Sequence, residues 1–356
     1  MFCRRSKTDT AGKDDPIAKS KQTTPVVGGV DTHKDLHVAA VVDDNDQVLG
    51  TQSFATTRQG YKLMLTWMRS FGDLQRIGVE CTGSYGAGLL RYMQVAGVDI
   101  LEVTAPDKQD RRRRGKNDDF DAQSAAHAAF ARRRTVTPRS RDGMVESLRV
   151  LKVCRKAAVQ ARRIALQIIQ TTIVCAPDRL RELLRNMTRM KLIRTLVAWR
   201  PDLTGYRDVE EAYKIAFKSL ARRYLELHDE VADLDDMIEA IVTDLAVELI
   251  ARNRVGLDSA TQVLLTAGDN PERLRSAASF AALCGVSPVP ASSGKTTRHR
   301  LNRGGDRAAK SALDIIAIGR LRLDPKTQEY VSRRISEGPS KLEAIRCVRR
   351  YIAREV

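Results

Sequence analysis

The sequence predicts an α/β domain at residues 26–143, a long helical segment at 144–249 and a mostly α-helical domain at 250–356, after a basic, disordered tail at 1–25. Two observations support this division. Short β-rich runs alternate with helical stretches in the first hundred residues, and apolar residues recur at alternating spacings of three and four later in the chain. A chain of 356 residues is long enough for separate domains with their own cores.

The first domain opens with three strand-like runs, at 26–31, 36–42 and 48–54. Helix and strand patterns then alternate at 57–71, 77–80, 86–96 and 98–103. Three successive strands followed by strand–helix–strand is the element order of a ribonuclease-H-like, or RuvC-like, domain. In that fold the fourth strand pairs beside the first, about 4.8 Å away.

Two of these strands end on an acid, Asp31 and Glu80. Open α/β sheets bind their ligands at the carboxyl ends of strands, so the two acids would share a site. Asp118 and Asp121 lie three residues apart at the start of an Ala-rich helix and therefore on one face. Four carboxylates in one place need counter-charge, and oxygen ligands favour Mg²⁺ or Mn²⁺. We therefore predict a catalytic metal site for phosphoryl transfer.

Each acid also has a purely structural explanation. Asp118 can be the N-cap of the following helix, with Asp121 three residues on as in a weak capping box. Asp31 can be an ordinary turn residue at a strand end, and Glu80 a surface acid. The occurrence of all three features in the order of one fold favours the metal site.

The charge balance predicts a polyanionic partner. The chain has 61 basic and 44 acidic residues, which give a net charge of +17. This excess of positive charge favours nucleic acid ahead of a membrane as the partner. No apolar run approaches the roughly 20 residues of a membrane span, and the first 25 residues lack the apolar core of a signal peptide. The six cysteines and five histidines lack metal-ligand spacing, so we expect a cytoplasmic protein without a zinc site or disulfide framework.

A run of cations immediately precedes the third acidic motif. A charge run is usually a solvated surface, but beside a phosphoryl-transfer site it is better explained by contacts to a nucleic-acid backbone. Aromatic residues make up only 5% of the chain, so no base-stacking platform is evident. The predicted contacts are Lys108, Arg111, Arg112, Arg113, Arg114 and Lys116.

Two heptad-like seams predict long helices in the middle segment. The first consists of Leu151, Cys154, Ala158, Ala161, Ala165, Ile168 and Thr172. The second consists of Phe217, Leu220, Tyr224, Leu227, Val231, Leu234, Ile238, Ile241 and Leu245. They are either the core stripes of a helical bundle or a coiled-coil arm that joins the domains and pairs protomers.

Three stretches, Gly29–Asp35, Val79–Tyr85 and Lys116–Ala122, resemble the motifs of the DEDD transposases of insertion sequences, some of which are bridge-RNA-guided recombinases. The resemblance extends from residue 26 to about 350. It implies a RuvC-like domain, a coiled coil, a homo-oligomer of two to four protomers, DNA as donor and target, and a structured noncoding guide RNA in a bacterial cytoplasm. It also implies that Mg²⁺ is held by Asp31, Glu80, Asp118 and Asp121. Asp119 is an adjacent alternative, but the motif spacing favours Asp118.

Residues 280–288 and 292–295 resemble the serine-bearing C-terminal domain of the same family. By this resemblance Ser293 is the nucleophile in a site shared with the metal cluster, with Ser292 as the alternative if the motif register differs by one. Without that context, Ser-Ser-Gly-Lys is more often a flexible loop. The basic residues implied to contact nucleic acid here are Lys295, Arg298, Arg300, Arg303 and Arg307.

The chain departs from the family pattern at Asn253–Ala260, where Arg254 stands for a usual glycine and Asp258 for a usual apolar residue. The sequence as a whole predicts a Mg²⁺-dependent DNA transposase that forms a covalent phosphoserine intermediate. Two alternatives stay open. A RuvC-like nuclease or junction resolvase would need the four acids but not Ser293, and a non-catalytic basic binding protein would need neither.

Overall fold

A computed structural model describes residues 24–103, 117–133, 135–270, 274–294 and 298–356. The chain divides into two compact units between Pro138 and Arg139, and each is described by itself. Several predicted features lie outside the described residues: most of the tail at 1–25 and the basic residues Lys108, Arg111, Arg112, Arg113, Arg114, Lys116 and Lys295.

The first unit is a six-stranded mixed sheet with helices on both faces. Its strands are β1 (Pro25–Thr32), β2 (Leu36–Val42), β3 (Val48–Ala55), β4 (Asp73–Glu80), β5 (Ile100–Val103) and β6 (Thr135–Val136). Its helices are α1 (Arg58–Arg69), α2 (Ala87–Val95) and α3 (Asp118–Phe130). The strand order is β3-β2-β1-β4-β5-β6, with β1, β4 and β5 parallel to one another and the other pairs antiparallel. The predicted α/β domain and the pairing of the fourth strand with the first are confirmed.

Alternation along the strands sends successive side chains to opposite faces of this sheet. Val26, Val30 and Ile77 join the core under α1 and α2. Val27 packs with Ala126 and other small residues of α3 on the opposite face. Because the side-chain period is two, Gly29 and Asp31 lie on the same face as Val27, which is the face that α3 covers.

Glycines in the two central strands let α3 lie directly on the sheet. A Cβ atom on Gly29 would come within 2.1 Å of the Ala126 nitrogen and 2.3 Å of the Ala122 oxygen. A Cβ atom on Gly78 would come within 2.5 Å of the Ala125 oxygen. Only glycine permits such a close backbone approach, so these two positions determine where α3 sits.

The second unit is mostly helical, as predicted. Its helices are α4 (Met144–Val174), α5 (Asp178–Leu184), α6 (Arg189–Ala198), α7 (Val209–Ile250), α8 (Leu257–Ala267), α9 (Ala277–Leu283), α10 (Arg307–Leu323), α11 (Pro325–Ser336) and α12 (Lys341–Glu355). A short hairpin pairs β7 (Val289–Pro290) with β8 (His299–Arg300). None of the helices among the described residues is long and apolar enough to cross a membrane.

The long helices α4 and α7 pack against each other in opposite directions. Arg155 Nη2 donates to Asp235 at 3.1 Å, and Arg162 contacts His228 Nδ1 at 2.8 Å, so later residues of α4 meet earlier residues of α7. The second predicted seam agrees with the buried stripe of α7 at Phe217, Tyr224, Val231, Leu234 and Ile238. Towards the end of the helix, Val242 and Leu249 are buried while the predicted Ile241 and Leu245 are only partly buried.

The first predicted seam is partly wrong. Ala158 and Ala165 are buried as expected, but Cys154 and Ile168 are exposed, while Ile169 and Ile173 are buried. An α-helix has 3.6 residues per turn, so its buried stripe drifts away from a strict 3.5-residue repeat.

The two departures from the family pattern lie just before and within the first turn of α8, and the structure gives a reason for the second. Arg254 adopts a φ of 61°, in the left-handed region that favours glycine. Asp258 accepts an ion pair from Lys152 of α4 at 3.2 Å. The acid therefore ties α8 to α4, which is a structural reason for a charge where an apolar residue is usual.

Candidate functional site

The parallel register of β1 and β4 brings the first two predicted acids to one edge of the sheet. Val30 pairs with Val79, so Asp31 and Glu80 follow at the carboxyl ends of neighbouring strands. Both are buried, with 7% and 8% of their surface exposed. The Thr32 hydroxyl donates to the backbone oxygen of Glu80 at 2.9 Å and ties the two strand ends together.

The first turn of α3 supplies the other two acids. Asn117 is the N-cap, and its side chain accepts a hydrogen bond from the Asp119 nitrogen at 3.1 Å. The expectation that Asp118 caps the helix is therefore wrong, because Asn is an equally good cap and begins the helix one residue earlier. Asp118 and Asp121 are both inside the first turn; Asp121 is 5% exposed, while the Asp118 side chain is about half exposed.

The closest group of ligand atoms in the described part of the chain consists of Asp31, Asp118 and His33. The Nε2 atom of His33 lies 3.0 Å from Asp31 Oδ2 and 3.5 Å from Asp118 Oδ1. All three residues offer ligand atoms within 4.8 Å of one another. Glu80 and Asp121 are outside this closest group, although Asp121 is near enough to act on the charge of Asp31.

Sequence reasoning missed His33, which was set aside for lack of ligand spacing. The available signal was its position two residues after Asp31, because alternate residues of an extended chain point to the same side. Asp-x-His at the end of a buried strand therefore places a carboxylate and an imidazole side by side.

Burial and like charges raise the pKa of the Asp31 carboxyl group. Desolvation is the largest cause, and the carboxylates of Asp121 and Asp118 act in the same direction, while His33 lowers the pKa. Closely spaced carboxylates in a partly desolvated site are stabilised by a cation. Carboxylate oxygens suit Mg²⁺ and Mn²⁺, and an imidazole nitrogen is a softer donor, so the donor set fits a divalent cation without selecting Mg²⁺ alone.

His33 is held in place by a second histidine. Its backbone N–H donates to His37 Nδ1 at 3.3 Å. His37 is fully buried and stacks on the ring of Tyr61, with ring centroids 5.7 Å apart. Burial lowers the pKa of His37 to about 4. The ring is therefore neutral at pH 7, which leaves Nδ1 free to accept this hydrogen bond.

The predicted serine is exposed and lies after β7, before the undescribed residues 295–297. Ser293 is followed by Gly294, whose φ of 56° is in the left-handed region that favours glycine. The neighbouring Ser292 hydroxyl instead contacts the backbone of Arg298, accepting from its nitrogen at 3.3 Å. Arg298, Arg300, Arg303 and Arg307 are all exposed on or shortly after the hairpin.

Comparison with known proteins gives matches at both ends of the chain. A model of DEDD transposases of the IS110 type matches residues 28–174. A second model, described as "Transposase IS116/IS110/IS902 family", matches residues 250–332. The first covers the sheet and its acids together with α4, and the second covers α8, the serine hairpin and α10.

Two relatives belong to insertion elements. The "Insertion element IS110 uncharacterized 43.6 kDa protein" of Streptomyces coelicolor is 29% identical over 134 residues, which are 37% of this chain and 33% of the relative. The chain thus spans about a third of that protein. The "Insertion element IS900 uncharacterized 42 kDa protein" of Mycobacterium paratuberculosis is 22% identical over 366 aligned residues, covering 90% of this chain and 92% of the relative. The two matched segments are similar to IS110-family transposase domains, and together with the two relatives they support a transposase of the IS110/IS116 type.

Proposed function

We propose that this transposase cleaves and exchanges DNA strands by divalent-metal-dependent transesterification, with Ser293 as the covalent nucleophile. The observation that carries the proposal is the convergence of Asp31, Asp118 and His33 on one point, at the edge of a sheet that also bears Glu80. Ligand atoms from two separate segments of sequence meet there, next to the strand end that carries Glu80, which a capping or surface role would not require.

The ligands in this proposal are Asp31, Glu80, Asp118 and Asp121, with His33 as an additional donor that the sequence did not suggest. A bound Mg²⁺ or Mn²⁺ would supply charge stabilisation of the pentavalent phosphorus and of the leaving oxygen. The residues of the chain orient the ligands: the Thr32 hydroxyl holds the end of β1 against Glu80, and His37 fixes the backbone at His33.

Ser293 carries the covalent step. Its hydroxyl oxygen attacks a phosphodiester phosphorus, a new P–O bond to serine forms, and the bond from phosphorus to one deoxyribose oxygen breaks. A base takes the serine proton, and the released deoxyribose oxygen gains a proton. The phosphoserine conserves the energy of the bond for rejoining. Exposure of Ser293 and the engagement of Ser292 with Arg298 favour Ser293 as the nucleophile.

Several finer features rest on the family resemblance. They are a RuvC-like fold for residues 26–143, a coiled-coil arm at 144–249 that pairs protomers into dimers or tetramers, a C-terminal transposase domain at 250–356, a bacterial cytoplasmic location, and a structured noncoding RNA that selects donor and target DNA. The antiparallel packing of α4 on α7 provides the helices for such an arm.

The test of the proposal uses the purified chain, its co-purified nucleic acid, and labelled DNA carrying the ends of the element that encodes it. We expect Mg²⁺-dependent strand exchange and a denaturant-resistant protein–DNA adduct. Ser293→Ala and Asp121→Asn should lose both, while the neighbouring variants Ser292→Ala and Asp119→Asn should keep them. Cleavage that depends on Asp121 but survives Ser293→Ala would identify a metal-dependent nuclease without serine chemistry.

The nucleic acid that co-purifies with the chain tests the guide separately. One discrete structured RNA encoded beside the gene supports guided recombination. A random mixture of fragments would contradict the guide RNA while leaving the metal-dependent chemistry to be judged by the cleavage assay.

A further inference from the structure

The second unit contains a basic groove that includes only two of the predicted site residues. It has a volume of about 710 Å³ and lies between the hairpin that carries Ser293 and the helices α11 and α12. Nine cationic side chains and two carboxylates line it. The predicted contacts Arg298 and Arg300 form one wall, and the opposite wall belongs to helices that the sequence did not connect with function.

Helix α12 presents a row of cations to this groove. Arg346, Arg350 and Arg354 recur every fourth residue, so they lie about 6 Å apart along one side of the helix. The opposite side is buried through Ala344, Val348 and Ile352. The amphipathic helix thus packs against the core on one side and carries a line of positive charge on the other, which suits a phosphate backbone. Arg346 also pairs with Glu343 at 3.3 Å and Arg350 donates to the Ala277 oxygen at 3.2 Å, whereas Arg354 is exposed.

The groove also contains an aromatic pair. Tyr330 of α11 and Tyr351 of α12 meet edge to face, with ring centroids 5.5 Å apart and ring planes at 88°. The Arg333 guanidinium lies 5.6 Å from the centre of the Tyr330 ring. Tyr351 is 54% exposed, so its ring is accessible to a ligand in the groove. A cationic groove with an accessible aromatic ring is the combination that binds unpaired nucleic-acid bases.

We propose that this groove binds single-stranded DNA, with a base stacked on Tyr351 and the backbone along Arg346, Arg350 and Arg354. The assignment to DNA rests on the proposed function, because the hairpin that forms the other wall carries Ser293. A base within a duplex already has stacked neighbours on both faces, so stacking on Tyr351 selects an unpaired strand. The groove would hold the strand next to the scissile phosphate.

The experiment measures fluorescence anisotropy of a labelled single-stranded oligodeoxynucleotide of about 12 nucleotides, within the usual site size for such grooves, with the full-length chain in EDTA. Tyr351→Ala should weaken binding about fivefold or more, the loss expected for one stacked base. Tyr351→Phe keeps the ring and should bind within twofold of the wild type. The matched control is Tyr206→Ala, which removes a tyrosine of similar exposure that lies outside the groove and has an arginine, Arg207, 5.6 Å from its ring centre.

The salt dependence separates the stacking contact from the phosphate contacts. Between about 50 and 200 mM salt, Arg354→Gln should lower the slope of log K against log salt by about 0.7. Tyr351→Ala should leave that slope unchanged. The control Arg223→Gln, on an exposed position of α7, should alter neither the affinity nor the slope.

Wild-type affinity of Tyr351→Ala, or equal weakening by Tyr206→Ala, would overturn the proposal. Tighter, Tyr351-dependent binding of RNA of the same sequence would overturn the assignment to DNA, and equal Tyr351 dependence with duplex DNA would overturn the unpaired strand. Because the assay contains EDTA, its result is independent of metal-dependent cleavage. If the groove variants bind DNA like the wild type, the cleavage test of Ser293 is unaffected. If Ser293→Ala still forms the adduct, the binding measurement of the groove is unaffected.

Discussion

Replacement of Gly29 by alanine tests how the sheet positions the candidate site. A Cβ atom at this position would lie 2.1 Å from the Ala126 nitrogen and 2.3 Å from the Ala122 oxygen. Ordinary contacts of a Cβ atom begin near 3.4 Å, so α3 must move away from β1 by about 1 Å. Both opposing atoms belong to backbone, and no side-chain rotation relieves the clash.

The expected cost has two parts. Overpacking of a core of this kind lowers the free energy of unfolding by about 1–3 kcal/mol. The displaced helix also carries Asp118 and Asp121 away from Asp31, and a misplacement of about 1 Å in a catalytic group costs roughly 100-fold in rate. We therefore expect Gly29→Ala to lose metal-dependent DNA cleavage at temperatures where the chain is still folded.

Urea unfolding and strand cleavage of the same preparations measure the two effects. Gly50→Ala is the matched control, because a Cβ atom there meets only the far ends of the Phe71 and Trp67 side chains, at 3.1 and 3.4 Å. We expect it to change stability by less than about 0.5 kcal/mol, as for most surface-side changes, and to cleave normally. Wild-type stability and activity of Gly29→Ala would refute the argument that close helix–sheet contact builds the site.

Three further predictions concern the second unit, each measured by urea unfolding. Arg254→Gly should raise the free energy of unfolding by about 1 kcal/mol, because glycine adopts the φ of 61° without the penalty of a side chain; destabilisation would show that the Arg254 side chain makes a necessary contact. Asp258→Ala should lower the free energy of unfolding by about 1–2 kcal/mol, because it removes the ion-pair partner of the half-buried Lys152. An unchanged free energy of unfolding would contradict a stabilising role of this ion pair. Glu355→Gln should destabilise at pH 7, because Arg320 binds both oxygens of Glu355 at 2.6 and 2.9 Å and lowers the pKa of its carboxyl group. A carboxylate with a lowered pKa stabilises the fold above its ordinary pKa near 4.5 and loses this effect as the pH falls. The difference in the free energy of unfolding between Glu355→Gln and the wild type should therefore shrink below that pH. A difference that stays constant with pH would refute the ion-pair explanation.

The order of strands and helices was predictable because each element of the first unit has its own local pattern. Val26 to Val30 and Leu36 to Val42 are apolar runs bounded by turn residues, and the structure forms strands from both. The strand Thr135–Val136 was not predicted, since two residues have no periodicity to recognise. It forms because it pairs with the end of β5, a contact that only the folded chain provides.

The positions of Asp31 and Glu80 at strand ends were predictable, while the role of the four acids as metal ligands stays a prediction. Asp31 and Glu80 end buried strands, and a strand that ends on an acid is a pattern visible in the sequence. His33 lies just beyond β1, and its position beside Asp118 depends on the close approach of α3. That approach depends on Gly29 and Gly78, whose role is evident only when the opposing backbone is seen.

The basic groove could not be predicted from the sequence, because its residues are far apart along the chain. Arg298 and Arg300 stand near the serine motif, whereas Tyr330 and Tyr351 are 30 or more residues away in the chain. Because aromatic residues make up only 5% of the chain, no base-stacking platform was evident from the composition. Folding brings two of the eight tyrosines together in one place, which an average over the chain cannot reveal.

The most direct test of the central claim is a titration of the metal-free chain with Mn²⁺, followed by the electron paramagnetic resonance signal of the free ion. We predict that the wild type binds Mn²⁺. The control Asp119→Asn changes an exposed acid in the same helical turn as Asp118 and should bind the ion equally well. Asp31→Asn should weaken binding tenfold or more, as loss of a ligand does in metal sites. No binding by the wild type, or equal binding by Asp31→Asn and Asp119→Asn, would contradict a metal centre built on Asp31.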